Sequence, residues 1–315
     1  MQSPDKRPAL VILTGPTAVG KTELAIRLAG RIAGEILSAD SRLFYRGMDI
    51  GTAKPTAAEL ATVPHHLIDF LDPDEAFSLA DFQETVIRIE GEIRVRGRIP
   101  MLVGGTGQYI RAIVEGWRIP NQPADERLRA GLAALEASGG PGTVHRWLSA
   151  LDPAAAGRID PRNVRRTVRA LEVVLQTGAR FSKQRRRAEP HFRTIQIGLI
   201  RPREDLYDRI DLRIEAMLAA GLVAEVAGLL AAGFSPDLPS MSAIGYHEAC
   251  RFIAGEISRE EMVTAMRKRS RTLVRRQTNW FKPDDPRIRW VDVDENSLER
   301  SEEIIREFLG RGRIV

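Results

Sequence analysis

The stretch LVILTGPTAVGKTELAIRLAG, Leu10 to Gly30, decides the fold. Within it, Gly15-Pro-Thr-Ala-Val-Gly20-Lys21-Thr22 matches G-x-x-x-x-G-K-[ST] in full. The apolar run Ala9 to Leu13 predicts a buried strand before the motif, and Glu23 to Arg31 predicts a helix after it. Backbone N–H groups of such a loop gather at a helix N-terminus and bind phosphate oxygens. Gly15, Pro16, Thr17, Ala18, Val19 and Gly20 thus form a candidate cradle, with Lys21 to neutralise the terminal phosphate and the Thr22 hydroxyl to ligate Mg²⁺. The pattern is usually taken for an ATP site. It recognises two linked phosphates and a metal but not adenine, so it specifies a phosphate ester or anhydride and nothing more.

Outward from the loop, strand signals recur. GEILSAD (Gly34 to Asp40), HHLIDFLD (His65 to Asp72) and IPMLVGG (Ile99 to Gly105) are short apolar runs, with helical stretches at Thr56 to Ala61 and Leu79 to Arg96 between them. Alternation of this kind predicts a parallel sheet with helices on both faces, whose ligands bind beyond the carboxyl ends of the strands. Asp40 and Thr106 each follow such an end, as the phosphate loop does, so three chemically apt elements converge on one crevice. An acid there suits a base or metal ligand. A helix N-cap is the default role for a lone Asp. GGTGQYI (Gly104 to Ile110) allows close backbone approach to a ligand and offers the Thr106 hydroxyl. His65 and His66 with Asp69 have metal-like spacing, but adjacent residues on a strand face opposite ways, which favours a structural role.

After Trp117 the pattern becomes helical as far as His191, broken by SGGPG (Ser138 to Gly142) and DPRN (Asp160 to Asn163). Strand character returns with FRTIQIGLI, Phe192 to Ile200, then a long helix begins near Arg203 with a break at Gly221. The expected fold class is α/β: a P-loop NTPase-like parallel-sheet core from 1–118 and 192–315, with C-terminal helices, and a helical insertion domain at 119–191. Ser297 to Val315 reads as a short helix and a frayed tail.

The 315 residues carry a net charge of +5, with 43% hydrophobic and 28% charged residues, ordinary for a globular chain large enough to bury a sizeable core. The one cysteine, Cys250, excludes an internal disulfide and a cysteine-built zinc site; it reads as a core residue in a reducing, cytoplasmic protein. No run approaches the ~18 apolar residues of a membrane span, and the N-terminus does not read as a signal peptide.

The positive charge is clustered. Arg158 to Arg193 holds eleven Lys or Arg and three acids; Ser258 to Lys282 holds eight and two. On a helix over Asn163 to Gln176, at ~100° per residue, Val164, Val168, Leu171 and Leu175 share one face. Arg165, Arg166 and Arg169, with Arg162 before them, share the opposite one. A stripe with Glu172 as its one nearby acid predicts an anion-binding face. Ser258 to Glu261 forms a capping box. Met262, Met266, Leu273, Gln277 and Trp280 then line one side, and Arg267, Lys268, Arg271 and Arg275 the other, a surface suited to a phosphate backbone. Arg276 and Gln277 fall at the edge, where they would face a ligand.

The pieces GPTAVGKTELA, SADSRLFYRGMDIGTAKP, PHHLIDFLDPDEAFSLADF, GGTGQYIRAIVEG, RRTVRALEV, AIGYHEA and RRQTNWF occur in this order. Together they resemble the tRNA dimethylallyltransferase, or tRNA isopentenyltransferase, family. The resemblance implies transfer of a dimethylallyl group from dimethylallyl diphosphate to N6 of the adenosine immediately 3′ of the anticodon. The loop then holds an allylic diphosphate with Mg²⁺, and Arg276 joins it in donor binding. The resemblance implies catalytic roles for Asp40 as base, Thr106 at the bridging oxygen and Lys21. It places tRNA contacts at Asp40, Ser41, Arg42, Leu43 and Thr106, at Arg129, at Arg165, Arg166, Thr167, Val168 and Arg169 on the arginine-rich helix, and at Gln277. The partners implied are the tRNA anticodon stem-loop and the donor, with no membrane and a monomeric enzyme.

The chain departs from the pattern where Arg42-Leu43 stands for Met-Gln, Gln108 for an aliphatic residue, Ser242 for an arginine, and His247-Glu248 for Arg-Gln. A small-molecule or nucleoside kinase using ATP shares the loop and fold class but needs no basic helical insertion. A transferase acting on free adenine nucleotides and a nucleic-acid-binding ATPase are further alternatives.

Overall fold

A computed structural model describes residues 5–118, 124–184 and 186–310. The predicted domain boundary at 119–123, the tail beyond Gly310 and the first four residues lie outside them. The chain divides into two compact units: one of 1–78, 82–114 and 191–315, the other of 79–81 and 115–190.

In chain order the first unit opens with β1 (Ala9–Thr14), α1 (Lys21–Ile32), β2 (Gly34–Ser38), α2 (Ala57–Thr62), β3 (His65–His66), α3 (Leu79–Val95), β4 (Ile99–Gly104) and α4 (Gly107–Val114). The second unit follows with β5 (Trp117–Arg118), α5 (Glu126–Gly139), α6 (Thr143–Leu151), α7 (Pro153–Ala156), α8 (Val164–Thr177), α9 (Phe181–Gln184) and β6 (Arg186–Arg187). The first unit resumes with β7 (Arg193–Ile200), α10 (Arg203–Ala219), α11 (Leu222–Ala231), α12 (Tyr246–Ile253), α13 (Arg259–Trp280), β8 (Ile288–Asp292) and α14 (Ser297–Gly310).

The first unit is built on a six-stranded sheet of order β3-β2-β4-β1-β7-β8, parallel throughout. The central strand β1 runs in register with both neighbours, Leu13 opposite Val103 on one side and Ile197 on the other. A strand covered on both faces must be apolar throughout, and Leu10 to Leu13 are wholly buried. Each such side chain stabilises the fold by roughly 1.5–3 kcal/mol relative to exposure. Among the described residues no single helix is long and apolar enough to cross a membrane.

Several boundaries differ from the expected ones for visible reasons. The strand expected over His65 to Asp72 stops at His66, because Leu67 and Asp69 take left-handed backbone, φ 61° and 55°. β8 was not expected at all; IRWVD pairs beside β7 at the sheet edge with Arg289 and Asp292 exposed, so its apolar signal is thin. The break at Gly221 is real: φ of 98° caps α11, which α10 approaches and ends before.

The second unit packs α5, α6, α7 and α8 around Leu132, Val144, Leu148, Ile159, Val168 and Leu171. Its helix starts follow local chemistry: the Asp125 side chain accepts from Leu128 N–H, and Asn163 accepts from Arg166 N–H, so each caps its helix.

Candidate active site

The site grows from the carboxyl ends of β1, β2 and β4. After β1 the chain turns at Gly15, φ 150°, where a Cβ would sit 2.8 Å from the Leu199 carbonyl oxygen; only glycine fits. Ala18 takes φ 64° in the same loop. Two arginines hold the loop from outside: Arg209 Nε donates to the Ala18 carbonyl at 2.7 Å and Arg201 Nε to that of Val19 at 3.1 Å. The Lys21 ammonium folds back, donating to the carbonyls of Gly15 at 3.0 Å and Pro16 at 2.7 Å. Burial lowers Lys21 from its ordinary value to about 8, against the pull of the Asp40 charge and with a further push from Arg213. The Thr22 side chain is exposed at the first turn of α1.

The ends of β2 and β4 touch. A Cβ on Gly104 would lie 2.4 Å from the backbone of Ala39, so this glycine lets the two ends meet. Thr106 N–H then donates to the Ala39 carbonyl at 3.2 Å, and Ser41 N–H to Thr106 Oγ at 3.4 Å. Asp40 Oδ1 accepts from Arg42 N–H at 3.0 Å. The base candidate and the hydroxyl candidate are thereby locked on adjoining strand ends.

Both open into a cavity of about 590 Å³ that also takes in Thr17, Arg42, Gln108, Ser242, Arg276 and Trp280. Its lining carries the cations Arg42, Arg213, Lys268, Arg269 and Arg276, and the single carboxylate Asp40. Ile210, Ile214, Met217 and Leu273 give it an aliphatic patch. A polyanion next to a hydrocarbon suits such a lining better than either alone. Of the expected donor residues, Thr17 and Arg276 line this cavity, whereas Lys21 is turned onto its own loop.

Arg201, Arg209 and Arg213 were missed by sequence reasoning. Their signal was available: in DRIDLRIEAM, Arg209 and Arg213 recur at i,i+4 directly beside Ile210 and Ile214, which are buried. Cations locked to the apolar stripe of a helix lie at its buried edge. Burial pushes Arg213 below its ordinary value, as does Arg209, against the Asp40 charge.

Other residues singled out in the sequence have defined partners. Gln277, expected to meet tRNA, lines the cavity but is largely buried: its side-chain oxygen accepts from Thr17 N–H at 2.8 Å and its Nε donates to the Gly105 carbonyl at 3.2 Å. The amide cross-links the two loops. Arg267 and Arg271, expected on a phosphate-binding face, pair instead with Asp211 and Glu215 of α10. His66, read as structural, bonds Glu35 at 2.8 Å, and His65 Nδ1 bonds the Val63 carbonyl. Cys250 is buried, as its setting indicated.

The arginine helix of the second unit also splits. Arg165 and Arg166 are exposed, and Arg162 is exposed but paired with Asp160. Arg169 and Arg129 both bind Glu172, which is wholly buried. Thr167 and Val168 are buried, so their side chains lie inside the protein and not on the expected RNA-facing stripe; the Thr167 hydroxyl donates to the Asn163 carbonyl. Leu175, expected on the apolar face, is 48% exposed, while Val173 and Val174 are buried in its place.

Residues 43–284 match the family model described as "IPP transferase". The chain belongs to the IPP transferase family. The tRNA dimethylallyltransferase of Chloroflexus aurantiacus is 53% identical over 273 residues, covering 87% of this chain and 92% of the relative. That of Thermomicrobium roseum is 46% identical, covering 98% and 95%. Among solved structures, the tRNA isopentenylpyrophosphate transferase of Bacillus halodurans superposes with a TM-score of 0.72 at 40% identity, over 97% of this chain and 98% of that one. A eukaryotic dimethylallyltransferase acting on tRNA gives 0.80 at 26% identity, over 98% and 81%. This IPP transferase is thus an enzyme, and its phosphate loop and Asp40, which precede the region matched by the family model, fall within the length covered by these relatives.

Proposed function

We infer that this chain is a tRNA dimethylallyltransferase that moves the dimethylallyl group of dimethylallyl diphosphate to a tRNA adenosine near the anticodon. The acceptor atom is N6 of the adenosine immediately 3′ of the anticodon. The observation that carries this reading is the cavity lining: one carboxylate, Asp40, and the Thr106 hydroxyl beside five cations and an aliphatic patch.

The chemistry follows from that lining. The N6 lone pair attacks C1 of the donor, the C1–O bond breaks, and its electron pair departs on the diphosphate. The N6 proton passes to Asp40, held by the Arg42 N–H in a fixed orientation. Thr106 Oγ already accepts from Ser41 N–H, so its own proton is free to donate to a leaving-group oxygen. Lys21, released from its carbonyls, and Arg213 with Arg276 meet the charge that develops there, the largest contribution such a site makes. The loop from Gly15 to Thr22 supplies backbone donors at positions other than Pro16, which has no N–H, and Thr17, whose N–H is given to Gln277. The Thr22 hydroxyl, exposed at the helix start, is a hard oxygen that suits Mg²⁺, an ion that binds through few protein ligands beside phosphate oxygens. Bound there, Mg²⁺ supplies charge neutralisation to the diphosphate.

An adenine stacked in a hairpin loop must leave its stack to enter a cavity. Exposed Arg165 and Arg166 support backbone positioning of the RNA, and Ser41 and Arg42 line the cavity beside Asp40 with Leu43 next in the chain. A tRNA acceptor accords with a cytoplasmic site of action, and a monomer remains the working unit of this reading.

Purified protein incubated with radiolabelled dimethylallyl diphosphate and total tRNA, followed by nucleoside mapping, tests the reading. Label on N6 at the stated position is expected. Transfer from labelled ATP instead, or label on free adenine nucleotides and none on tRNA, overturns it.

A further inference from the structure

Arg42 is the one cation of the cavity lining that belongs to the same turn as Asp40, and its side chain is unusually placed. Nη1 donates to the carbonyl oxygens of Pro239 at 2.8 Å and Ser240 at 3.2 Å, and Nη2 donates to Ser242 Oγ at 3.1 Å. All three acceptors are neutral, and no carboxylate among the described residues pairs with it. Burial pushes Arg42 below its ordinary value, and the opposing pull comes first from Asp40, two residues away.

The turn that receives the guanidinium is itself fixed. The Ser240 hydroxyl is fully buried and donates to the Pro73 carbonyl at 2.6 Å. Ser242 Oγ donates to the Pro239 carbonyl at 2.6 Å while accepting from Arg42. The Ser242 carbonyl accepts from Arg269 at 2.8 Å, and Arg269 is held in turn by Glu248 at 2.6 Å. Ser242 thus stands between two guanidinium groups, one on its side chain and one on its backbone. A small hydroxyl at 242 leaves room for the Arg42 fork to dock.

We propose that Arg42 is a positioning residue for Asp40: its guanidinium braces the turn that carries the carboxylate against the Pro239–Ser242 turn. The geometry needs a fork. Three acceptors lie at three places, and two nitrogens of a planar guanidinium reach them together. An ammonium is a single point and cannot span them. The Arg42 N–H bonded to Asp40 Oδ1 then transmits the brace to the carboxylate, since the backbone that donates this bond is the backbone the fork holds. Position matters at this level because a displacement of ~1 Å at a reacting group costs on the order of 10²-fold in rate.

This proposal rests on Asp40 being the base in the transfer to tRNA, and the test separates the two. Single-turnover transfer is measured at saturating enzyme and varied donor and tRNA for the wild type and for Arg42→Lys, Arg42→Met, Ser242→Ala and Arg42→Lys/Ser242→Ala, with a thermal melt of each. Arg42→Lys and Arg42→Met are expected to lose roughly 10-fold or more in maximal rate while both half-saturation concentrations stay within about twofold. Ser242→Ala is expected to show a smaller loss, and the double variant to be no slower than Arg42→Lys alone, since both remove one brace. Full rescue by Arg42→Lys overturns the proposal in favour of simple charge. A rise in donor or tRNA half-saturation at unchanged maximal rate overturns it in favour of a substrate contact. A rate loss that tracks the thermal midpoint and vanishes at lower temperature overturns it in favour of general stability. Asp40→Asn in the same assay reports on the underlying reading: transfer by the wild type that survives this change removes Asp40 as base, whatever the Arg42 variants do.

Discussion

Gln277 and Thr17 lie 260 residues apart in the chain, yet the side-chain oxygen of one accepts the backbone N–H of the other at 2.8 Å. With its Nε on the Gly105 carbonyl, Gln277 ties the phosphate loop to the turn that bears Thr106. Gln277→Leu removes the bridge and leaves a half-buried N–H and a buried carbonyl without their partners. A loss of about 1–3 kcal/mol follows, most of it from the buried carbonyl. The thermal midpoint is expected to fall by several degrees, and the donor concentration at half-saturation to rise several-fold, as read by a melt and a donor titration. An unchanged donor titration removes the bridge from donor binding.

Lys21 gives donor binding a pH dependence. In the free protein its ammonium loses its proton near pH 8, because burial disfavours the charge. A diphosphate beside it favours the charged form and raises that value. Binding then takes up a proton wherever the free lysine is neutral, so the donor Kd rises with pH above about 8, approaching tenfold per unit. Below that pH the lysine is charged in both states and contributes no slope. Calorimetric titration in buffers of different ionisation enthalpy measures the uptake. Lys21→Met is expected to bind the donor more weakly and with no slope above pH 8; a slope that survives in this variant belongs to another group.

Asp40→Asn is nearly isosteric and keeps an acceptor for the Arg42 N–H. Removing a base costs typically 10²–10⁴-fold in rate. The transfer rate is expected to fall by that order while the tRNA Kd, from filter binding or fluorescence, stays within a few-fold. Full turnover in this variant excludes the assigned role.

In the second unit the arginines divide into two classes with opposite signatures. Arg165→Glu with Arg166→Glu should weaken tRNA binding and reduce its salt slope by about 1–2, with no change in the melt. Glu172→Gln should do the reverse. Glu172 is wholly buried and accepts from Asp125 N–H, Arg129 and Arg169. Breaking such a cluster costs about 3–5 kcal/mol, visible in urea or thermal unfolding. Burial pushes the Glu172 carboxyl up, but Arg169, the Asp125 N–H and Arg129 together hold it below its ordinary value. The stability it supplies is therefore present above the usual glutamate range and is lost as pH falls through the lowered folded value. An acid titration of the melt, wild type against Glu172→Gln, checks the sign.

Legibility in the sequence followed from how local each feature is. The phosphate loop is a contiguous motif, and Asp40 and Thr106 follow apolar runs that could only be strands, so their convergence was readable. The arginine helix was readable as a helix but not as a surface. Its moment was assigned to one face, whereas burial of Val173, Val174 and Thr167 and exposure of Leu175 come from neighbours on more than one side. The bonding partners of Gln277, Arg209 and Arg42 were beyond reach for a different reason. Each side chain owes its role to a backbone carbonyl or N–H between 191 and 260 residues distant, and such partners leave no mark on composition.

The contact between Gly104 and Ala39 fixes more than the pairing of two parallel strands. It makes the separation of Asp40 from Thr106 a dimension of the sheet, since adjacent strands lie ~4.8 Å apart, whereas Arg213, Lys268, Arg269 and Arg276 reach the same cavity from helices outside the sheet. Retargeting the enzyme to another acceptor is thus a problem of refashioning periphery around an invariant pair, and any added side chain at position 104 would dismantle the chemistry in every redesigned version alike.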